Sequence, residues 1–267
     1  MIIDIHTHAF PDSIADRAIA KLESLASWKA VGRGTTAALL ESMDAAGVDA
    51  SAVCAIATKP DQAGGILDWC TSIRTERLIP FPSVHPDTPD AAGWVGRIAA
   101  EGFCGIKLHP MYQNFAADDA RADAIYAKAT ELGLLVTLHC GRDIGFPYED
   151  DRASAPRMAA IVARHKGIKL VCTHMGGWKS WEESYEHLVG REVYLETSFS
   201  LQLLGAKRAT EMIHAHGANR VLFGSDWPWQ SQASDVAFIR SLPLSEQEKA
   251  AILGENARNL VARASRP

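Results

Sequence analysis

A chain of 267 residues, 47% of them hydrophobic, has enough apolar material to bury one large core. Its net charge of −5 and the lack of any basic run argue against nucleic acid or an anionic membrane as the main partner, and no apolar run approaches the ~18 residues that span a bilayer. No charged stretch followed by an apolar one opens the chain, and the five cysteines (Cys54, Cys70, Cys104, Cys140 and Cys172) are odd in number with no Cys-x-x-Cys pair, so free core thiols in a reducing cytoplasm are expected.

Ile2, Ile3 and Ile5 mark residues 1–8 as a buried strand. Strict alternation places Asp4, His6 and His8 on one face, where two imidazoles ~7 Å apart can converge on one metal ion. A polar strand end is the plain alternative for this pair taken alone. A helix over 12–27 follows, then a break at Gly32 and Gly34 and a helix over 35–46 closed by Gly47. Residues 48–57 read as a strand, 62–76 as a helix, and 78–84 as a strand made irregular by Pro80 and Pro82. A helix over 89–101 leads to a strand over 105–109.

The second half is more regular. Helices over 118–132, 155–165, 178–188 and 206–216 alternate with strands over 134–139, 168–174, 193–197 and 221–225. The remainder is helical, with Ser245 as an N-cap before residues 246–253. Eight strands alternating with helices, and no linker between them, predict an α/β fold in one domain over residues 1–267. The repeated strand–helix unit implies a parallel sheet, and the count favours closure into a (β/α)8 TIM barrel of the usual ~250-residue size over an open doubly wound sheet. No Gly-x-Gly-x-x-Gly follows the first strand, which weakens a dinucleotide-binding reading.

Against that order the histidines form a pattern. His6 and His8 end strand 1, His109 ends strand 4, His139 ends strand 5 and His174 ends strand 6, while Asp226 directly follows strand 8. In a β/α barrel these C-terminal strand ends ring one mouth, which is the active face. A single strand-end histidine is ordinarily a hydrogen-bonded core residue, and a single Asp after a strand is ordinarily a helix N-cap. Six such residues at the same end of the strands point instead to a metal centre. Cys172, two residues before His174, is expected deeper inside the barrel as core and not as a ligand.

The motifs Asp4-Ile-His-Thr-His8, Gly105-Ile-Lys-Leu-His-Pro110, Thr137-Leu-His-Cys-Gly141, Thr173-His-Met-Gly-Gly177 and Phe223-Gly-Ser-Asp-Trp-Pro228 occur in this order along nearly the whole chain. Together they resemble the metal-dependent amidohydrolase superfamily, specifically its amidohydrolase-2 branch, which includes aminocarboxymuconate-semialdehyde decarboxylase-like enzymes. The tail Gly254-Glu-Asn-Ala-Arg-Asn-Leu260 is similar to the family's closing helix. The resemblance implies that His6, His8, His139 and Asp226 hold one divalent metal and that His174 polarises or deprotonates the reacting group. Such a ligand set leaves a position open for water, and Asp226 can accept a proton from it. Zinc is the first expectation for nitrogen and oxygen ligands, with manganese or iron as alternatives.

Lys107 and His109 face the same way on strand 4. Binuclear members of the wider superfamily carry a metal-bridging carbamylated lysine near this place. Lys107 is read either as that bridge to a second metal or, preferred here, as an unmodified cation that meets substrate or supports the ligands. Arg142 can clamp a substrate carboxylate or pair with Asp143, and Trp178 can wall a substrate pocket or pack against the barrel. Trp227 and Trp229 raise the same pair of alternatives. Three functions are open: a metal-dependent hydrolase of a small lactone, amide or related bond, a metal-dependent decarboxylase of a small aromatic or unsaturated acid, and a metal-binding scaffold. The expected ranking is in that order. The expected partner is a small molecule, with a homo-oligomer left open.

Overall fold

The computed structural model describes residues 1–264. Its eight strands are β1 (Ile3–Thr7), β2 (Ala50–Cys54), β3 (Leu78–Phe81), β4 (Gly105–Leu108), β5 (Leu135–Leu138), β6 (Lys169–Cys172), β7 (Tyr194–Glu196) and β8 (Val221–Leu222). All pair in parallel and in sequence order, as the ladders β1-β2-β3 and β4-β5-β6-β7-β8. Backbone hydrogen bonds join the ladders at both seams. Lys107 N donates to Pro82 O at 2.9 Å, Ile5 N to Phe223 O at 2.9 Å and Asp226 N to His6 O at 2.7 Å. The strands therefore close into the expected α/β TIM barrel. Each strand is shorter than the apolar pattern suggested, chiefly because its last residues turn out of the ladder into the loops at the functional end.

Two apolar layers hold the barrel. Ile3, Ile5, Ala50, Ala52, Leu135, Val171 and Leu222 fill its inside, and Ala257 and Leu260 of the closing helix Asn256–Ala264 join them from below. Leu39, Met43, Val53, Val95, Ile98, Ile106, Leu108, Leu138, Leu170 and Ile213 fill the layer between strands and helices. Cys172 is fully buried as expected, but it lies in this outer layer while Val171 points inward. Thr35 caps the helix Thr36–Ala46 by accepting from Ala38 N at 3.2 Å, and Gly47 ends it at φ 67°. Ser245 forms the expected cap, with Glu248 returning the bond. The helix Gln232–Ser241 was not singled out in the sequence, nor was the start of Leu201–His216 at Leu201, before a break at Gly205.

One irregularity in β1 shapes the functional end. Asp4 pairs with Ser51 but Thr7 pairs with Val53, so three steps on β1 match two on β2. An extra residue of this kind breaks the two-residue alternation. Ile3 and Ile5 point into the barrel below the bulge, and His6 and His8 point into it above. Asp4 does not share their face, contrary to the expected alternation. It turns outward and accepts from Ser225 N at 3.1 Å, Ser225 Oγ at 2.5 Å and Gln232 Nε2 at 2.8 Å. Burial pushes its carboxyl up to about 6.

Candidate active site

The end of β1 and the loop after β8 bring three donors together. His8 Nε2 lies 3.1 Å and His6 Nε2 3.5 Å from Asp226 Oδ1, and the two Nε2 atoms are 3.2 Å apart. Both rings are fixed from behind: His8 Nδ1 donates to Cys54 O at 2.8 Å, and His6 Nδ1 meets Glu196 Oε2 at 2.9 Å. A hydrogen bond on Nδ1 selects the tautomer whose Nε2 lone pair faces the cluster, as metal ligation requires. The three ligand atoms all lie within 4.8 Å of one another, so the donor set fits a divalent cation. Fully buried Lys107 also reaches this point, with Nζ 2.9 Å from His6 Nε2.

A second row runs beneath. Glu196, on β7 and fully buried, places Oε2 2.9 Å from both His6 Nδ1 and Ser198 Oγ, and its Oε1 accepts from Ser198 N. Ser198 Oγ is 2.9 Å from His174 Nδ1, so a single carboxylate and a hydroxyl connect His6 to His174. Burial raises the Glu196 carboxyl, whereas a cation at the cluster would act in the opposite sense. His174 Nε2 lies 3.1 Å from His139 Nδ1, and His139 Nε2 lies 3.1 Å from Arg142 O. The carbonyl and carboxylate acceptors fix the protons: Ser198 Oγ–H donates to Glu196 Oε2, His174 Nδ1–H faces Ser198 O at 3.2 Å beside Ser198 Oγ, and His139 Nε2–H donates to Arg142 O. In that arrangement the lone pairs of His139 Nδ1 and His174 Nε2 face each other at 3.1 Å, so His139 keeps a lone pair for a metal without giving up its bond to Arg142 O. Burial holds His6, His109 and His139 well below the usual imidazole range and His174 at about 4. All four are thus neutral near pH 7, the protonation state that ligates metals.

A column of rings leads outward from His174. His139 stacks on His109 at 4.1 Å between centroids and 13° between planes, Tyr112 meets His109 edge-on at 4.6 Å, and Phe146 meets Tyr112 at 5.0 Å. Asp143 lies on the flank of this column, with Oδ2 3.2 Å from His109 Nε2 and Oδ1 accepting from Gly145 N at 2.7 Å. The loops after β5 and β6 are zipped together: Trp178 N donates to Cys140 O and Arg142 N to Trp178 O, each at 3.0 Å. Gly141 sits between them at φ 91°, where a Cβ would come within 2.1 Å of Trp178 N, so only glycine fits.

Above the histidines opens a cavity of about 620 Å³. His6, His8, Lys107, His109, His139, His174 and Asp226 form its floor, and Phe10, Trp28, Ile66, Trp69, Trp178, Phe199 and Trp229 are among its walls. Arg142 and Trp178 both line it, but Arg142 does not pair with Asp143. Its guanidinium bonds Asp150 O at 3.0 Å and lies 5.0 Å over the Tyr148 ring. Trp227 is buried against Gly32 while Trp229 reaches the cavity, which separates two tryptophans the sequence could not tell apart.

The structure thus gathers His6, His8 and Asp226 at one point, joins His174 to His6 through Glu196 and Ser198, and sets His139 against His174 and His109 rather than within the three-donor cluster. Sequence reasoning passed over Glu196 and Ser198 and noticed Asp143 only as a partner for Arg142. The signal for Glu196 was present: an acid inside the buried strand Val193-Tyr-Leu-Glu-Thr197 has to be paired to be tolerated.

Comparisons with known proteins give a family and a fold. The family model described as Amidohydrolase matches residues 3–263. No curated protein matches the sequence. Similar solved structures include an uncharacterised TIM-barrel protein of Bordetella bronchiseptica, with TM-score 0.76 and 16% identity over 99% of each chain. Another is 5-carboxyvanillate decarboxylase of Sphingomonas paucimobilis, with TM-score 0.76 and 17% identity over 98% of each chain. A putative 2-pyrone-4,6-dicarboxylic acid hydrolase of Pseudomonas putida is similar with TM-score 0.67 and 20% identity, over 98% of this chain and 97% of the other. At these identities the likeness establishes the fold, and chemistry has to be argued from the residues.

Proposed function

The chain belongs to the amidohydrolase family, whose members are metal-dependent and act on small molecules, and from that premise we propose that it is a hydrolase of a small lactone, amide or related bond. The observation that carries the reading is the convergence of His6 Nε2, His8 Nε2 and Asp226 Oδ1 within 4.8 Å at the floor of a largely apolar cavity. A divalent ion held there, zinc by the chemistry of the donors, supplies a Lewis acid and acidifies water. His6, His8 and Asp226 bind it, and His139 joins them on the strength of the family resemblance. Asp226 has a second carboxylate oxygen with which to take a proton from attacking water and return it to the leaving group. His174, neutral and held through Nδ1 by Ser198, keeps the Nε2 lone pair as a base toward the reacting group. Lys107 sits beside His6 as an unmodified cation that balances the carboxylates of buried Glu196 and partly exposed Asp226. The aromatic walls exclude water and orient a flat substrate.

The same walls favour a second reading, loss of carbon dioxide from an aromatic or unsaturated acid. An apolar lining destabilises a carboxylate relative to neutral carbon dioxide, and protonated Asp226 or His174 would then deliver a proton to carbon. Metal-loaded protein should be assayed in parallel against lactones, esters and anilides, followed as acid release, and against aromatic carboxylates, followed as carbon dioxide release. Turnover of an acyl substrate that is lost on chelation supports the first reading. Carbon dioxide release with every acyl substrate inert replaces it by the second.

A further inference from the structure

The group His109, His139 and Asp143, with ligand atoms within 4.8 Å of one another, could be taken for a second metal site. Its ring geometry argues otherwise. An ion lies in the plane of each imidazole that binds it, whereas His109 and His139 stack at 4.1 Å with planes only 13° from parallel. Two such planes share no point within the ~2 Å of a metal–nitrogen bond. What the arrangement does provide is a carboxylate held rigidly at the edge of the cavity. Asp143 is fixed by His109 Nε2–H on one oxygen and Gly145 N–H on the other, and its side chain is 11% exposed into a space walled by Trp178 and Ile144. Two acceptor bonds leave the carboxylate's remaining lone pairs free. The Tyr112 hydroxyl lies at the same edge, near Gly145. Arg142, the neighbouring residue, donates from one Nη to Asp150 O and lies over the Tyr148 ring, and it does not pair with Asp143. This edge of the cavity therefore presents a fixed acceptor to a ligand.

We propose that Asp143 is a specificity-determining residue, receiving a hydroxyl or N–H donor on the part of the substrate that lies beside His109. The substrate class is a flat apolar molecule carrying such a donor at that position, and a second carboxylate there is disfavoured by like charge. This rests on the reading of His6, His8 and Asp226 as a metal centre, because that cluster anchors the reacting end.

Benzohydroxamates test it without knowledge of the substrate, since the hydroxamate group chelates divalent metals. Binding to zinc-loaded wild type and Asp143→Asn is measured by calorimetry for the parent compound and for its 3- and 4-hydroxy, 3- and 4-amino and 3- and 4-carboxy derivatives. At least one hydroxy or amino compound should bind wild type about tenfold more tightly than the parent, the usual effect of a hydrogen bond to a charged acceptor. The carboxy compounds should bind more weakly than the parent. Asp143→Asn should erase both differences and leave parent binding unchanged, while the loss of one of the two acceptor bonds lowers the melting temperature modestly. If carboxy compounds bind wild type as well as the hydroxy and amino compounds, or if Asp143→Asn leaves the ranking intact, the inference fails while the metal reading stands. If the parent compound does not bind zinc-loaded protein, the metal reading fails and takes this inference with it.

Discussion

The floor and the walls of the cavity are built on opposite principles. On the floor, His6, His8, His174 and Glu196 each find hydrogen-bond partners for their polar side-chain atoms, His109 Nδ1 being the exception, and below them Asp4 ties β1 to Ser225 and Gln232. On the walls, packing dominates: Trp178 Nε1 and Arg142 Nε are buried without hydrogen-bond partners, and Leu25, Trp28, Ile144 and Tyr148 remain exposed around the rim. A bonded network of buried polar groups fixes positions to within a few tenths of an ångström, which metal ligation and proton transfer need. Apolar walls select by shape and tolerate adjustment. Changes to the floor should therefore act on metal content and turnover, and changes to the walls on affinity.

The floor as a whole should be most sensitive to acid. His6, His109 and His139 are held well below the usual imidazole range by burial, and His174 and His216 at about 4. In the unfolded chain these five take up protons as pH falls through ~6.5, while in the folded protein they do not, so stability is lost as pH falls from 6.5 toward 4. Asp4 (raised to about 6), Asp235 (raised to about 8) and Glu196 are pushed the other way by burial and gain stability over the same range. Five imidazoles outweigh three carboxyls, and the net direction is loss. The urea midpoint of metal-free protein should fall steadily from pH 6.5 to 4, and a flat or rising midpoint would overturn the neutral-imidazole floor.

Asp226→Asn separates chemistry from ligation at the floor's edge. Asp226 has φ 61°, a conformation asparagine also adopts, so the backbone should be undisturbed. Removal of a proton-handling carboxylate should lower kcat by about 10²–10⁴ with bound metal largely retained. Full activity at saturating metal would reduce Asp226 to a ligand. Unchanged activity at any metal concentration would remove it from the site.

His6→Ala and His139→Ala distinguish the donors the structure gathers from the one supplied by family resemblance. His6 belongs to the three-donor cluster, so its loss should weaken zinc binding about a hundredfold by competition titration. His139→Ala should cost as much only if the Nδ1 lone pair that faces His174 joins the cluster. Glu196→Gln tests the support beneath. Gln keeps an acceptor for His6 Nδ1 but not the charge, and zinc affinity should drop about ten- to a hundredfold, as is usual for the partner behind a ligating histidine. Because the Gln amide must also turn its NH2 onto Ser198 N–H, the melting temperature should fall together with zinc affinity. A fall in melting temperature with zinc affinity intact would make Glu196 a purely structural residue.

Much of the floor was legible in the sequence because its donors sit at strand ends, where apolar periodicity fixes both the strand and its polarity. His6, His8, His174 and Asp226 were found this way, and so was the strand order that brings them together. The outward turn of Asp4 was not, since alternation assumes a regular strand and the bulge between Asp4 and Thr7 leaves no mark in residue types. Asp143 was noticed only as a neighbour of Arg142. Its pairing with His109 joins the loop after β5 to the end of β4, a contact set by loop conformation rather than by periodicity. Trp178 was readable as a wall residue or as packing, and the zipped loops at Gly141 are what turn it toward the cavity.

The smallest expected effect lies in the walls, at Trp178→Ala. The indole lines the cavity, its Nε1 has no partner among the described residues, and Lys179 Nζ lies 4.5 Å over the ring from outside. Removing it deletes apolar contact with substrate but touches none of the floor's hydrogen bonds, whereas the Trp178 backbone bonds to Cys140 and Arg142 survive any side chain. Area lost from a partly covered aromatic contact corresponds to about 1–2 kcal/mol of binding. For a substrate held equally in ground and transition states, that appears as KM raised about tenfold with kcat unchanged. Zinc affinity should stay at the wild-type value, because no ligand or ligand support has moved. A tenfold fall in kcat at constant KM would mean that the wall positions the reacting group, and the division between floor and walls would then be wrong at this residue.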